Sequence, residues 1–108
     1  MPETSVFLYR QGNANSPRMD NVRDRDVNIY DYSGEKWVEA FSGGISTFES
    51  PKLGQNWWRI DAGIQIPDSI NLINDHNDHW LWQPAYNMRL LEYQELLKQV
   101  SIHFVKFN

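Results

Sequence analysis

The sequence predicts a compact, strand-rich α+β domain with few helices, and three observations support this. Short runs of β-branched and aromatic residues alternate with clusters of Gly, Pro, Asn and Asp, a pattern typical of short strands joined by turns. One segment near the C-terminal end has apolar residues at helical spacing. The 108 residues are 41% hydrophobic and include five Trp, which is enough for one core but not for two. We therefore expect a single domain over residues 1–108, without an internal repeat.

The N-terminal third of the chain predicts a strand, a long loop and a hairpin. Residues 6–9 form an apolar, aromatic run that predicts a buried first strand. Residues 12–26 are rich in Asn, Asp and Arg and predict a long loop, a kind of segment that often has a functional role. Residues 27–30 and 36–38 flank a turn-like segment and indicate a hairpin. A short helix over residues 35–41 is the alternative.

The middle of the chain predicts four further short strands, separated by turn residues such as Gly and Pro. They cover residues 45–48, 57–60, 69–73 and 79–82. Residues 49–54 predict either a loop or one helical turn, and residues 74–78 predict a loop that leads into the last of these strands.

One helix is predicted, over residues 88–100, with Asn87 as its cap. Its apolar residues recur at spacings of three and four: Leu90, Tyr93, Leu97 and Val100. Residues 102–107 alternate in polarity and predict a final strand.

Charge and composition exclude several classes of function. The net charge of −4 does not favour nonspecific binding along a nucleic-acid backbone. The absence of Cys excludes disulfides, thiolate metal sites and thiol nucleophiles. The sequence shows no secretion signal and no apolar run long enough to span a bilayer. We therefore expect no membrane association and a cytoplasmic location, in the producing cell or in a target cell reached by export without a cleavable signal peptide.

The most informative segment is residues 43–48, with the sequence Gly-Gly-Ile-Ser-Thr-Phe. Paired glycines allow positive φ or a close approach of the backbone, and the β-branched residues that follow favour a strand. Ser46 and Thr47 therefore stand at the start of a predicted strand, where a hydroxyl can orient a substrate. A role as nucleophile would require an adjacent base. The sequence identifies none, so substrate positioning is the preferred role.

Two further kinds of candidate come from the strands. Arg10 follows the predicted first strand, where a guanidinium can bind a diphosphate or a carboxylate through paired hydrogen bonds. Trp57 and Trp58 must face opposite sides of their strand, so that one packs in the core and the other is available to stack on a ligand. Tyr9 can line a pocket in the same way.

A metal site is the less favoured interpretation of residues 75–79, which have the sequence Asp-His-Asn-Asp-His. His76 and His79 with two carboxylates could supply ligands, but the spacing falls in a turn and no further His cluster supports it. We therefore predict no metal site here.

The order of four short segments resembles the ADP-ribosyltransferase-like toxins typified by type VI secretion exported toxin two. They are Leu8-Tyr9-Arg10, residues 43–48, residues 60–68, and residues 79–84 with the sequence His-Trp-Leu-Trp-Gln-Pro. The resemblance spans residues 6–97. It implies a compact split β-sheet fold that binds NAD in a cleft between two sheets. It also implies a toxin that a cognate immunity or antitoxin protein neutralises.

The resemblance assigns roles to individual residues. Arg10 contacts the phosphates of NAD, Ser46 the nicotinamide ribose, and His79 the same ribose or the acceptor, so that Ser46 and His79 are the catalytic residues. Arg10, Ser46, Thr47, Tyr9 and Trp58 together form the predicted NAD-binding set.

His79 stands where many of these transferases have a Glu. A carboxylate there stabilises the oxocarbenium character that develops when the nicotinamide bond breaks, whereas neutral His brings no negative charge. Catalysis would then depend more on positioning, or Asp75 or Asp78 would have to reach the site.

Three hypotheses follow about what the protein does. The leading one is an NAD-binding toxin that transfers ADP-ribose to a macromolecular target or hydrolyses NAD, with NAD as its substrate. The second is a noncatalytic ligand- or protein-binding module of the same fold, motivated by the missing carboxylate. The third is a metal hydrolase built on His76 and His79.

Overall fold

A computed structural model describes residues 2–108 as two antiparallel sheets and a single helix, which confirms the predicted α+β fold. The strands are β1 (Leu8–Gln11), β2 (Ile29–Tyr32), β3 (Glu35–Val38), β4 (Ile45–Phe48), β5 (Trp57–Ile60), β6 (Ile70–His76), β7 (His79–Pro84), β8 (Met88–Arg89) and β9 (Val105–Lys106), and the helix is α1 (Leu90–Ser101). No helix among residues 2–108 has the length and apolar character needed to cross a membrane.

The larger sheet has six strands in the order β6-β7-β4-β1-β5-β9, so the first strand of the chain lies in its interior. β4 pairs with both β1 and β7 and therefore lies between two strands that come from distant parts of the sequence. This arrangement brings the N-terminal strand and the β6–β7 hairpin to either side of residues 45–48.

The smaller sheet has three strands in the order β2-β3-β8. Its hairpin turns at Ser33 and Gly34, which both have positive φ, of 54° and 78°. A two-residue turn with two positive φ angles matches the twist of the flanking strands. The hairpin prediction is thereby confirmed, and the alternative of a helix over residues 35–41 is wrong.

Several element boundaries differ from the predictions, and four of the differences bear on the site or the helix. β1 covers Leu8–Gln11 rather than residues 6–9, so Arg10 lies inside the strand instead of after it. The loop predicted at residues 74–78 is shorter, because β6 continues to His76 and only residues 77–78 form the turn. The helix begins at Leu90, since the two residues before it pair with β3, and the Asn87 side chain accepts a hydrogen bond from the Ala40 amide instead of capping the helix. The final strand covers only Val105–Lys106.

The hydrophobic core lies between the six-stranded sheet, the helix and the smaller sheet. The sheet contributes Leu8, Ile45 and Trp82, and the helix contributes Tyr93 and Leu97, all of them fully buried. The buried Tyr93 hydroxyl donates a hydrogen bond to the Trp82 carbonyl, at 2.5 Å. The space between the two sheets is therefore filled by protein side chains.

Side chains alternate between two faces of the six-stranded sheet. We call the face that packs against the helix the core face, and the opposite face the outer face. Strand register assigns Leu8, Arg10, Thr47, Trp58 and Trp82 to the core face, and Tyr9, Ser46, Phe48, Trp57 and His79 to the outer face. The two residues of the Ser46-Thr47 pair therefore have different environments.

Candidate functional site

Two glycines precede β4, where the backbone packs against neighbouring backbone too closely to leave room for a side chain. Gly43 has a φ of 139°, and a Cβ atom there would lie 2.3 Å from the Asp26 carbonyl oxygen. A Cβ atom at Gly44 would lie 2.3 Å from the carbonyl oxygen of Trp82 on the neighbouring strand. Both contacts are too short for any residue other than glycine. The expectation that this pair serves positive φ or close approach is confirmed.

Ser46 and His79 meet on the outer face. β4 and β7 pair with Phe48 opposite His79 and Ser46 opposite Leu81, so that Ser46 and His79 are diagonal neighbours. Ser46 Oγ lies 2.9 Å from His79 Nε2, within hydrogen-bonding distance. The side chain of His79 is only 15% exposed. The adjacent base that the sequence did not identify for Ser46 is therefore His79.

Asp75 completes a chain of three groups. Its Oδ1 atom lies 2.6 Å from His79 Nδ1, on the side of the imidazole opposite Ser46. Partial burial raises the pKa of the Asp75 carboxyl, but its hydrogen bonds and charge interactions with His79 and His76 outweigh this and lower the pKa below its ordinary value. The carboxylate is therefore ionised at neutral pH. Carboxylate, imidazole and hydroxyl thus form a continuous relay, which we call the Asp75–His79–Ser46 relay.

The sequence alone did not select Asp75 over Asp78. Strand pairing places Asp75 on the outer face, because Ile73 lies opposite Leu81 and the residue two positions further along β6 points to the same side. Asp78 instead forms an ion pair with Lys52 on the other side of the turn. The register shift between Asn74 and His76 leaves Asp75 without a direct partner on β7 and sets His76 opposite His79.

A row of aromatic rings crosses the outer face beside the relay. The centroids of Phe107 and Tyr9 are 5.1 Å apart, and those of Phe48 and His79 are 5.3 Å apart. Tyr9 lies directly opposite Phe48 across β1 and β4, so the two pairs are continuous. Tyr9 and Phe48 are half-buried, which leaves part of each ring accessible. The rings are inclined to one another, at 83° for Tyr9 and Phe107 and 56° for Phe48 and His79, and they form an aromatic surface next to the Ser46 hydroxyl.

Arg10 lies on the core face, away from the relay. Its guanidinium donates three hydrogen bonds to backbone carbonyls, those of Pro17 at 3.0 Å, Arg18 at 3.1 Å and Ser46 at 2.9 Å. Burial lowers the pKa of Arg10 to about 10, with the charge of Asp26 acting in the opposite direction, so the group stays charged at neutral pH. Arg10 therefore fastens the loop of residues 12–26 to the backbone of Ser46.

The other two predicted NAD-binding residues also face the core. Thr47 is fully buried, and its hydroxyl accepts a hydrogen bond from Trp82 Nε1 at 3.0 Å and donates one to the Trp80 carbonyl at 3.2 Å. Trp58 packs against the core, and its indole nitrogen donates to the Asn13 carbonyl at 2.9 Å. Of the predicted site residues, the structure thus brings together Ser46, His79 and Tyr9 on one face.

Three potential metal-ligand residues lie at the tip of the β6–β7 hairpin. His76 lies opposite His79 across the turn, and Asp75 contacts both imidazoles. One ligand atom from each of the three residues falls within 4.8 Å of the others. The turn that made a metal site unattractive in the sequence is what brings these groups together.

Three surface concavities lie at other places. One is lined by residues 63–67 with the end of α1, one by the start of α1 with Glu35 and Lys36, and one by the N-terminal segment with part of β6. None of the three brings a hydroxyl, an imidazole and a carboxylate together. We therefore assign the candidate site from its hydrogen-bonded groups, on the outer face of the six-stranded sheet.

Comparison with known proteins bears on the identity of this site. The curated proteins and the solved structures yield no significant match. A family model described as Tse2 ADP-ribosyltransferase toxin matches residues 2–108, which is all of the chain except its first residue. The match agrees with the two antiparallel sheets and single helix described above. The chain belongs to the family of Tse2 ADP-ribosyltransferase toxins.

Proposed function

We propose that this protein is a toxin that binds NAD on the outer face of its six-stranded sheet and breaks the bond between nicotinamide and ribose. The released ADP-ribose passes to a macromolecular acceptor or to water. The observation that carries this proposal is the Asp75–His79–Ser46 relay, with 2.6 Å and 2.9 Å between its members. Membership of an ADP-ribosyltransferase family supports NAD as the substrate.

In this proposal the relay supplies the negative charge that is missing where His79 replaces the Glu of many of these transferases. An ionised Asp75 accepts a hydrogen bond from His79 Nδ1–H, which leaves Nε2 as the acceptor for the Ser46 hydroxyl. The carboxylate also polarises the imidazole, so that Nε2 becomes more electron-rich. In this proposal the negative charge acts on the ribose through His79 rather than by direct contact. Ser46 and His79 hold the ribose hydroxyls, and Asp75 orients His79.

The bond changes balance without a further cofactor. The glycosidic carbon–nitrogen bond breaks, and its electron pair leaves with nicotinamide, which is thereby neutral. The positive character on the ribose is then quenched by the lone pair of the acceptor, which loses one proton. In this proposal His79 Nε2 takes up this proton. With water as acceptor the products are ADP-ribose, nicotinamide and one proton.

The aromatic row supplies the binding surface in this proposal. Tyr9 and Phe48 offer partly exposed rings beside Ser46, and the nicotinamide or adenine ring can stack on them. Arg10, Thr47 and Trp58 act on the protein instead, since their polar groups bond to backbone carbonyls or lie in the core. Arg10 contributes by holding the backbone of Ser46 in place.

The order carboxylate, imidazole, hydroxyl is also that of serine hydrolases. Ester hydrolysis with Ser46 as nucleophile is therefore the second candidate function, and the 2.9 Å contact between Ser46 and His79 favours it. Family membership favours NAD over an ester. The two candidates differ in the bond that breaks, so that each has its own product.

A toxin of this kind requires a cognate immunity or antitoxin protein in the producing cell. The C-terminal segment provides an apolar surface for such a partner, because Ile102 is 78% exposed and Val105 and Phe107 are also exposed. Phe107 contacts Tyr9 at the edge of the aromatic row. A partner bound there would also cover the proposed NAD surface.

The test is nicotinamide release from NAD by the purified chain, with a labelled adenylate group to follow ADP-ribose onto proteins or nucleic acids of a cell lysate. Ser46→Ala and His79→Gln should abolish release, whereas Ser50→Ala, which changes an exposed Ser two residues beyond β4, should leave it intact. Label on a macromolecule identifies a transferase, and free ADP-ribose alone identifies a hydrolase.

Three results would reject the proposal. NAD binding without release of nicotinamide would indicate the noncatalytic module. Release that survives both Ser46→Ala and His79→Gln would place the site elsewhere. Turnover of a nitrophenyl ester without turnover of NAD would favour the serine hydrolase.

A further inference from the structure

The tip of the β6–β7 hairpin holds a cluster of ligands that the NAD chemistry does not use in full. The turn consists of Asn77 and Asp78, with a φ of 46° at Asn77, and it sets His76 opposite His79. The two imidazole rings lie 4.8 Å apart between centroids, with an interplanar angle of 32°. Directly opposed side chains on two strands are close enough to bind one ion together.

Asp75 adds a carboxylate between the two rings. Its Oδ2 atom lies 3.2 Å from His76 Nδ1, and its Oδ1 atom lies 2.6 Å from His79 Nδ1. The side chains of His76 and Asp75 are 63% and 27% exposed, so that an ion in solution can reach them. Both Nδ1 atoms point toward the carboxylate and hence toward a common point.

We propose that Asp75, His76 and His79 form a binding site for a divalent transition metal ion of the zinc class. Two imidazoles and a carboxylate suit such ions better than calcium or magnesium, which prefer oxygen ligands. Around a tetrahedral zinc ion, ligands at about 2.1 Å from the metal lie about 3.4 Å apart. The three ligand atoms now fall within 4.8 Å, and rotation of the exposed His76 side chain can close the difference. The fourth position remains for water.

The metal would reverse the hydrogen bond between His79 and Ser46. A metal ion bound to Nδ1 leaves Nε2 as the only nitrogen that can carry the proton of a neutral imidazole. Nε2–H then donates to Ser46 Oγ, whereas in the metal-free state the Ser46 hydroxyl donates to Nε2. As a ligand of the metal, Asp75 would no longer accept the hydrogen bond from His79 that orients the imidazole. Metal binding therefore inhibits NAD cleavage, a consequence that rests on the proposed function.

Binding is tested on the full chain, purified without a polyhistidine tag, stripped with chelator and titrated with zinc chloride alone by calorimetry. One ion per chain is expected. His76→Gln should weaken binding by about tenfold or more, since even the loss of a partner behind a metal ligand has an effect of that size. His103→Gln, which changes the exposed third His of the chain, should leave the affinity unchanged. NMR signals of His76 and His79, but not of His103, should shift.

The outcomes separate this site from the proposed function. Absence of saturable zinc binding, or equal loss in the two variants, would overturn the metal site whatever the chain does to NAD. Zinc binding that follows His76, in a protein that never releases nicotinamide, would leave the site standing and reject the proposed function. If both hold, zinc should inhibit nicotinamide release by the parent chain but not by His76→Gln, whose metal-free activity should be retained.

Discussion

Replacing Asp75 by Asn tests the relay at the member that the sequence did not select. Asn has the shape of Asp, so its side-chain oxygen can still accept a hydrogen bond from His79 Nδ1–H, but the negative charge is gone. A hydrogen bond to a charged group contributes about 1.5–3 kcal/mol and one between neutral groups about 0.5–1.5 kcal/mol. The difference of about 1–1.5 kcal/mol corresponds to a fall of about 5- to 15-fold in kcat/KM for nicotinamide release, at about 1.36 kcal/mol for each factor of ten.

The assay is nicotinamide release at neutral pH, together with nitrogen NMR of the His79 ring to identify which nitrogen carries the proton. Asp78→Asn is the matched control, because it removes a carboxylate of the same turn that pairs with Lys52 rather than with His79. It should stay within about twofold of the parent chain, since exposed ion pairs contribute little. Equal activity of the parent chain and Asp75→Asn, with an unchanged His79 ring, would refute the relay.

Three further results are expected. Gly44→Ala should destabilise the fold by about 1–3 kcal/mol or more in urea unfolding, because its Cβ would lie 2.3 Å from the Trp82 carbonyl oxygen; an unchanged midpoint would contradict this. Arg10→Lys should cost about 2 kcal/mol or more, since an ammonium cannot reproduce three forked hydrogen bonds to carbonyls, and Arg25→Lys at an exposed position is the control. The pKa of Asp75 lies below its ordinary 3.8, so its stabilising effect is complete above about pH 5 and is lost as the pH falls through the lowered pKa. Urea unfolding at about pH 5 and about pH 2.5 should therefore show a smaller loss for Asp75→Asn than for the parent chain, and equal losses would count against a stabilising contact of the Asp75 carboxylate.

Local sequence signals predicted the elements that depend on local chemistry. The Ser33-Gly34 turn sits between two β-forming runs, and the hairpin formed as expected. The β4 strand and its preceding glycines were also predicted with their boundaries. The predicted start of the helix was wrong because the residues there pair with a strand that is distant in sequence. Met88 continues a helical pattern in sequence, yet it pairs with Val38, because without β8 the β3 strand would have no partner on that side.

The sequence by itself determined that this protein has an α+β fold, with a hydroxyl pair at the start of a strand and an imidazole in a later strand. It did so because turn chemistry and apolar periodicity are local properties. Only the tertiary structure decided which face of the sheet each side chain occupies. Register turned Arg10 and Thr47 toward the core and Ser46 toward His79, and the pairing of β6 with β7 placed Asp75 on the same face as the imidazole. Since one residue of register changes the face of every side chain on a strand, no single strand contains that information.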